Sequence, residues 1–202
     1  MGEYSLVMVI GVTGKYCAGK STVSQLLQEY GFSEVDVDKI GHAVLEEEKE
    51  RVIMVFGKQI LDQQGAIDRG RLGKIVFKNK RKRKKLEAIL HPLMRKKIED
   101  ILNELRGNYI INAALLFQMK LHLLCDFVIF VCAPFWLRLK RALQRDKLYV
   151  KDVLLRFFSQ GKISTKFNAG GVDIYYEYNK GSIGGLKNRL MKILLERKIG
   201  EA

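Results

Sequence analysis

Gly14-Lys15-Tyr16-Cys17-Ala18-Gly19-Lys20-Ser21-Thr22 has two glycines five residues apart, followed at once by lysine, serine and threonine. That spacing is the pattern of a loop whose backbone amides cradle phosphates. Leu6-Val7-Met8-Val9-Ile10 stands before it and reads as a buried strand. After it, Val23, Leu26, Leu27 and Tyr30 recur at helical spacing, with Gly31 as a stop. The order is therefore strand, glycine loop, helix. In such a loop successive N–H groups converge on an anion, and the positive end of the helix dipole adds to them. Gly14 and Gly19 supply backbone conformations that a Cβ forbids. Lys20 is placed to neutralise β- and γ-phosphates, and the Ser21 hydroxyl to ligate Mg²⁺.

Composition narrows the class. The chain has 202 residues, enough for one sizeable core and a small inserted subdomain, and 48% are hydrophobic. No apolar run reaches the ~20 residues of a membrane span. No basic segment followed by an apolar stretch and a cleavage site opens the chain, so no signal peptide is expected. Cys17, Cys125 and Cys132 lack metal-ligand spacing, and an odd, sparse set fits a reducing compartment such as the cytoplasm. The net charge is +14, from 36 Lys and Arg against 22 Asp and Glu. Such an excess suits polyanionic ligands, or is spread over solvated faces.

Further along, Phe32-Ser33-Glu34-Val35-Asp36-Val37-Asp38 reads as a short strand, with Asp36 and Asp38 on one side of it at the ligand-binding edge of the sheet. A carboxylate there can take a proton from an attacking hydroxyl or hold a metal-bound water; the plainer reading is an acidic turn and helix cap before Lys39. Short helices are expected around Ile40–Val44, Val52–Phe56 and Arg69–Phe77, with a turn at Gln64–Asp68. In Lys78–Lys85 every residue but Asn79 is basic. That run lacks the interleaved aromatics of single-strand binders, so a solvated face is expected, with nucleic-acid binding as the rival reading. Leu86, Ile89, Leu90 and Leu93 are helical in spacing, His91-Pro92 is expected to interrupt them, and a second amphipathic helix follows to Gly107. Tyr109–Leu116 and Phe127–Cys132 read as buried parallel strands. Trp136–Leu148 reads as a basic helix whose Arg141 and Arg145 share a face suited to phosphate. Asp152–Lys162 is expected to be helical, Asp173–Tyr178 a last strand, and Leu186–Leu194 a closing helix. Strands alternating with helices predict a three-layer α/β domain on a parallel sheet.

The chain resembles the dephospho-coenzyme A kinase family over nearly its whole length. The resemblance is carried by Val9-Ile10-Gly11-Val12-Thr13-Gly14 and the loop to Thr22, by Val35-Asp36-Val37-Asp38 followed by His42, and by Asp68-Arg69. It continues in Leu86-Glu87-Ala88-Ile89-Leu90-His91-Pro92-Leu93, Leu115-Leu116-Phe117, Ala133-Pro134, Arg141 with Arg145-Asp146, and Asn179-Lys180-Gly181. The loop is shared by many NTPases, whereas the Asp-x-Asp and His-Pro segments in this order are more specific.

The resemblance implies a P-loop kinase core with a parallel five-stranded sheet, formed by residues 1–39 and 107–202. It implies a lid at roughly 141–170 and a helical substrate-binding insertion at 40–106. It implies transfer of the ATP γ-phosphoryl group to the ribose 3′-hydroxyl of dephospho-CoA, with Mg²⁺, and small molecules as partners rather than nucleic acid or membrane. Carried over, Gly14, Cys17, Ala18, Gly19, Lys20, Ser21 and Thr22 bind ATP, with Arg145 reaching it from the lid. Asp38 is the general base, and Thr13, Arg69 and His91 help hold the acceptor. Four residues depart from the family pattern: Ala114 for a proline, Gln118 for a glutamate, Cys17 for a third loop glycine, tolerable if its φ is negative, and Arg138 for a glutamine, with one residue inserted before it. A nucleotide kinase of the same core is the rival enzyme.

Overall fold

The computed structural model describes residues 8–104, 107–146 and 170–197. Strand β1, Val9–Gly14, is buried along its whole length. Parallel partners flank it on both sides: β3, Asn108–Asn112, and β4, Phe127–Cys132. Strand β2, Phe32–Val35, pairs with β3, and β5, Asp173–Tyr178, pairs with β4. Among the described residues these five strands form one parallel sheet in the order β2-β3-β1-β4-β5. All five therefore end at the same edge, which is where the glycine loop leaves β1.

The hydrophobic pattern selects this arrangement. Ile10 and Val12 of β1, Ile110 of β3, and Phe127, Ile129 and Val131 of β4 point to one face. That face is covered by α1, Lys20–Gln28, through Val23, Leu26 and Leu27, and by α7, Ile183–Glu196, through Leu186, Leu190 and Leu194. A period of two on the strands meets a period of 3.6 on the helices, and each fully buried leucine contributes about 1.5–3 kcal/mol. Glu177 of β5, buried on this side, is neutralised by Arg189 of α7 at 2.7 Å. Helix α6, Phe135–Asp146, follows β4.

The chain divides into two compact units, Met1–Val35 with Arg106–Ala202, and Asp36–Leu105. The second contains α2 (Val37–Glu47), α3 (Lys49–Phe56), a 3₁₀ turn at Lys58–Ile60, α4 (Arg69–Lys78) and α5 (Lys80–Glu104). Leu45, Val52, Phe56, Ile60, Ile67, Leu72 and Ile89 form its core. Two aspartates start its helices. An Asp36 oxygen accepts the Lys39 N–H at 2.8 Å, and one of Asp68 accepts the Arg71 N–H at 3.0 Å. That cap bond holds the Asp68 carboxyl below the usual carboxylate range.

Three sequence expectations are corrected. Asp36 and Asp38 do not lie on a strand: β2 stops at Val35, Asp36 caps α2, and Asp38 sits in its first turn. The cap bond gives the backbone a local partner that competes with continued pairing. Tyr109–Leu116 is a strand only to Asn112; Leu116 and Phe117 are buried from a turn instead. Pro92 does not interrupt its helix, since α5 runs through it from Lys80 to Glu104. A proline removes one intrahelical bond, and here α5 packs along α2 and α4, which hold both halves in line. The expected helix at Asp152–Lys162 and most of the expected lid lie outside the described residues. The basic residues of Lys78–Lys85 are all exposed, and the Asn79 side chain caps α5 by accepting the Arg81 and Lys82 N–H groups.

Candidate active site

Gly14 ends β1 with φ 150°, and a Cβ there would stand 2.3 Å from the Val131 carbonyl oxygen of the neighbouring strand. Gly19 caps α1 with φ 101° and ψ 31°. A Cβ there would lie 1.9 Å from the Asn179 amide nitrogen. Both glycines are thus required by close approach as well as by backbone angle. No acidic side chain occupies the first turn of α1, so the positive end of its dipole is uncompensated and open to an anion. The loop opens on a cavity of about 390 Å³ lined by Cys17, Gly19, Lys20, Ser21, Thr22, Arg141 and Gln144. The Lys20 ammonium donates to the Gly14 carbonyl across the loop at 3.3 Å.

Helix α6 turns its basic face toward this loop. Arg138, only 8% exposed, donates to the Tyr16 carbonyl at 3.4 Å. Arg141 donates to the Ala18 carbonyl at 3.2 Å and lines the cavity. Both arginines thus bond to the loop backbone instead of standing free in solvent. Arg145 lies one turn further along α6, and its side chain is outside the described residues. Thr13 is buried in β1 beside Phe130 and lines neither this cavity nor the one below.

Cys17 has φ 56°, so the negative angle under which a cysteine sits there without strain is not adopted. A non-glycine residue in this left-handed region costs about 1–2 kcal/mol. Cys17→Gly is therefore expected to raise stability by about 1 kcal/mol, or ~2–4 °C in Tm, as read by thermal unfolding. An unchanged or lower Tm would show that the thiol's packing outweighs the backbone strain. Cys125, by contrast, is buried, and burial pushes its thiol up to about 12, leaving it unreactive.

In the second unit, a cavity of about 300 Å³ brings together Asp38 and His42 of α2 and Arg69 of α4. Asp38 and His42 are four residues apart, hence on one helix face. Val37, Leu45, Leu72, Val76 and Leu90 supply an apolar wall. The site is a mixed one: an acid, an imidazole and a guanidinium over a greasy floor. His91, one turn before Arg95 on α5, is half-buried, and burial lowers its pKa while Glu87 partly opposes this. The imidazole is thus neutral at pH 7 and offers hydrogen bonds rather than charge. A folded pKa below the ordinary 6.5 means that the unfolded chain takes up the proton first. Stability present above that value is then lost as pH falls through the folded pKa. Denaturant midpoints measured from about pH 7 down to about pH 5 are expected to fall, and His91→Gln to flatten the decline. Equal slopes in the two proteins would remove His91 from this role.

The structure thus joins Cys17, Gly19, Lys20, Ser21 and Thr22 at one cavity and Asp38 with Arg69 at another, while Gly14, the buried Ala18 and His91 line neither. Sequence reading missed Asn179 as a loop contact. It noticed the Asn179-Lys180-Gly181 turn only as a point of resemblance, because a partner 161 residues away leaves no local periodicity.

Comparison with known proteins agrees with this geometry. A family profile described as Dephospho-CoA kinase matches residues 8–175. The dephospho-CoA kinase of Borreliella burgdorferi is 45% identical over 124 residues, which span 60% of this chain and 60% of that relative. The dephospho-CoA kinase of Carboxydothermus hydrogenoformans is 36% identical over 197 residues, 94% of each chain. The solved structure of dephospho-CoA kinase from Campylobacter jejuni superposes with a TM-score of 0.66 at 31% identity, covering 94% of this chain and 96% of that one. With the strand order, the glycine loop and these matches in agreement, the chain belongs to the dephospho-CoA kinase family, a family of ATP-dependent kinases.

Proposed function

We propose that this chain transfers the γ-phosphoryl group of ATP to the ribose 3′-hydroxyl of dephospho-CoA. A new bond forms between the 3′ oxygen and the γ-phosphorus. The bond from that phosphorus to the β–γ bridging oxygen breaks, and ADP leaves. The hydroxyl proton passes to the Asp38 carboxylate. The observation that carries this reading is the loop cavity, where Lys20, Arg141 and the start of α1 place positive charge around one space. Phosphoryl transfer needs little covalent help from protein, so positioning and electrostatics do the work.

Each residue has a chemical part. The loop amides and Lys20 hold the β- and γ-phosphates, and Arg145 adds a guanidinium from α6. Asp38 starts three residues beyond β2, a strand that ends at the same sheet edge as β1. Arg69 pairs with anionic groups of the acceptor, and the apolar wall beside Asp38 takes its uncharged parts; His91 of α5, outside that lining, would offer it a hydrogen bond, while Thr13 is too deeply buried in β1 to reach it. The Ser21 hydroxyl lines the phosphate cavity, and a hard oxygen beside phosphates fits the habit of Mg²⁺, which binds through few protein ligands. Bound with ATP, Mg²⁺ would offset charge on the phosphates. Among the described residues no cluster of three or more His, Cys, Asp or Glu competes as a metal site.

Among the described residues no helix is long and apolar enough to cross a membrane, and the sparse cysteines support work in a reducing cytoplasm. Incubation with ATP, Mg²⁺ and dephospho-CoA is expected to yield ADP and an acceptor heavier by one phosphoryl group. ATP consumed without such a product would overturn the reading.

A further inference from the structure

One carbonyl in the phosphate loop, that of Ala18, receives two donors from outside the loop. The Asn179 side-chain amide donates to it at 2.9 Å from the turn after β5, and Arg141 of α6 donates at 3.2 Å. The two donors are themselves joined, since Arg141 also reaches the Asn179 carbonyl at 3.4 Å and its side-chain oxygen at 3.5 Å. Asn179 is in turn fixed to the sheet, its backbone N–H donating to the Cys132 carbonyl at 2.8 Å. It is buried, at 8% exposure. Ala18 itself is fully buried in the main core, so the residue that offers this carbonyl cannot drift.

The peptide bond is planar and trans, so the C=O of Ala18 and the N–H of Gly19 point in opposite directions. Gly19, with φ 101°, has the conformational freedom to let this peptide rotate. Rotation would replace a donor with a carbonyl oxygen on the phosphate side, and an oxygen repels phosphate where an N–H attracts it. Asn179 and Arg141 hold the Ala18 carbonyl against this rotation.

We propose that Asn179 is a positioning residue for ATP. With Arg141 it clamps the Ala18–Gly19 peptide so that the Gly19 N–H stays turned to the phosphates. This rests on the reading of residues 14–22 as the phosphate loop. The clamp also explains why residue 19 is glycine beyond its backbone angle, because any side chain there would displace the Asn179 amide. Asn179 does not itself need to touch the nucleotide.

The test compares wild type, Asn179→Ala, and Asn179→Leu, which fills similar volume without charge or donor. Expected for both variants is a rise of about tenfold in KM and Kd for ATP, the scale of one lost hydrogen bond, with kcat and KM for the acceptor within about threefold. The Gly19 ¹⁵N amide resonance, which senses hydrogen bonding to the preceding carbonyl, is expected to shift. Equal losses for both substrates, or a loss that tracks a lowered Tm, would mean a merely structural role and overturn the proposal. So would unchanged ATP affinity. Lys20→Ala run alongside separates the two levels. If it abolishes ATP binding while Asn179→Leu does not weaken it, the clamp alone fails. If Lys20→Ala leaves ATP binding intact, the loop reading fails and the clamp with it.

Discussion

Lys20→Ala is expected to lower kcat by about 10²–10³-fold, the scale seen when one preorganised electrostatic donor is removed from a transition state. In the structure Lys20 begins α1, lines the loop cavity and bridges to the Gly14 carbonyl. It is therefore fixed to the loop before any substrate arrives, and no reorganisation is needed when charge shifts onto the leaving ADP. Lys20→Met, which keeps much of the stem, is expected to fail as badly, because the ammonium rather than the packing carries the effect. Thermal unfolding should show both variants folded. Turnover within about threefold of wild type would mean that the reacting phosphates lie elsewhere.

Asp38→Asn is expected to lower kcat by ~10²-fold or more while ATP affinity hardly changes, as for loss of a general base. Asparagine is nearly isosteric and cannot accept the hydroxyl proton. Asp38 is exposed in the first turn of α2 and shares its cavity with His42 and Arg69. Its substitution should leave folding intact, because the cap of that helix is Asp36, not Asp38. A kcat within about twofold would place the base elsewhere, with His42 the next residue to test. The two variants separate binding of the donor from activation of the acceptor: Lys20 should affect both ATP affinity and turnover, and Asp38 turnover alone.

How far the chain could be read in advance depends on the range of the interactions concerned. The glycine loop was legible because Gly14 and Gly19 answer backbone requirements written at fixed spacing, and the apolar strand and helical repeat beside them are equally local. The parallel strands were legible as apolar runs for the same reason. The end of β2 was not. Val35-Asp36-Val37-Asp38 alternates like a strand, yet Val37 is buried as the first residue of a helix. Alternation over four residues cannot distinguish a strand from a capped helix start. Ala113, Leu116 and Phe117 show the same limit, since buried side chains of a turn and of a strand are of the same types. Pro92 misled because the cost of one missing hydrogen bond is local, while the packing of α5 that offsets it is not.

The site divides along the same line. Lys20, Ser21 and Asp38 could be named from short motifs. Arg141 could be noted as a phosphate-facing arginine from its four-residue spacing to Arg145, but not its bond to Ala18. That bond and the one from Asn179 exist only once α6 and the turn after β5 are folded against the loop. Cys17 was visible as a departure from the family, but its positive φ was not, because backbone angle is set by the loop as a whole.

The most direct measurement is a competition for phosphate. ATP labelled at the γ position is supplied with Mg²⁺ and equimolar dephospho-CoA and nucleoside monophosphates, and the labelled products are separated and their phosphorylated position determined. Label predominantly on the ribose 3′-oxygen of dephospho-CoA is the expected result. Label predominantly on a nucleoside monophosphate, or on another position of dephospho-CoA, would contradict it.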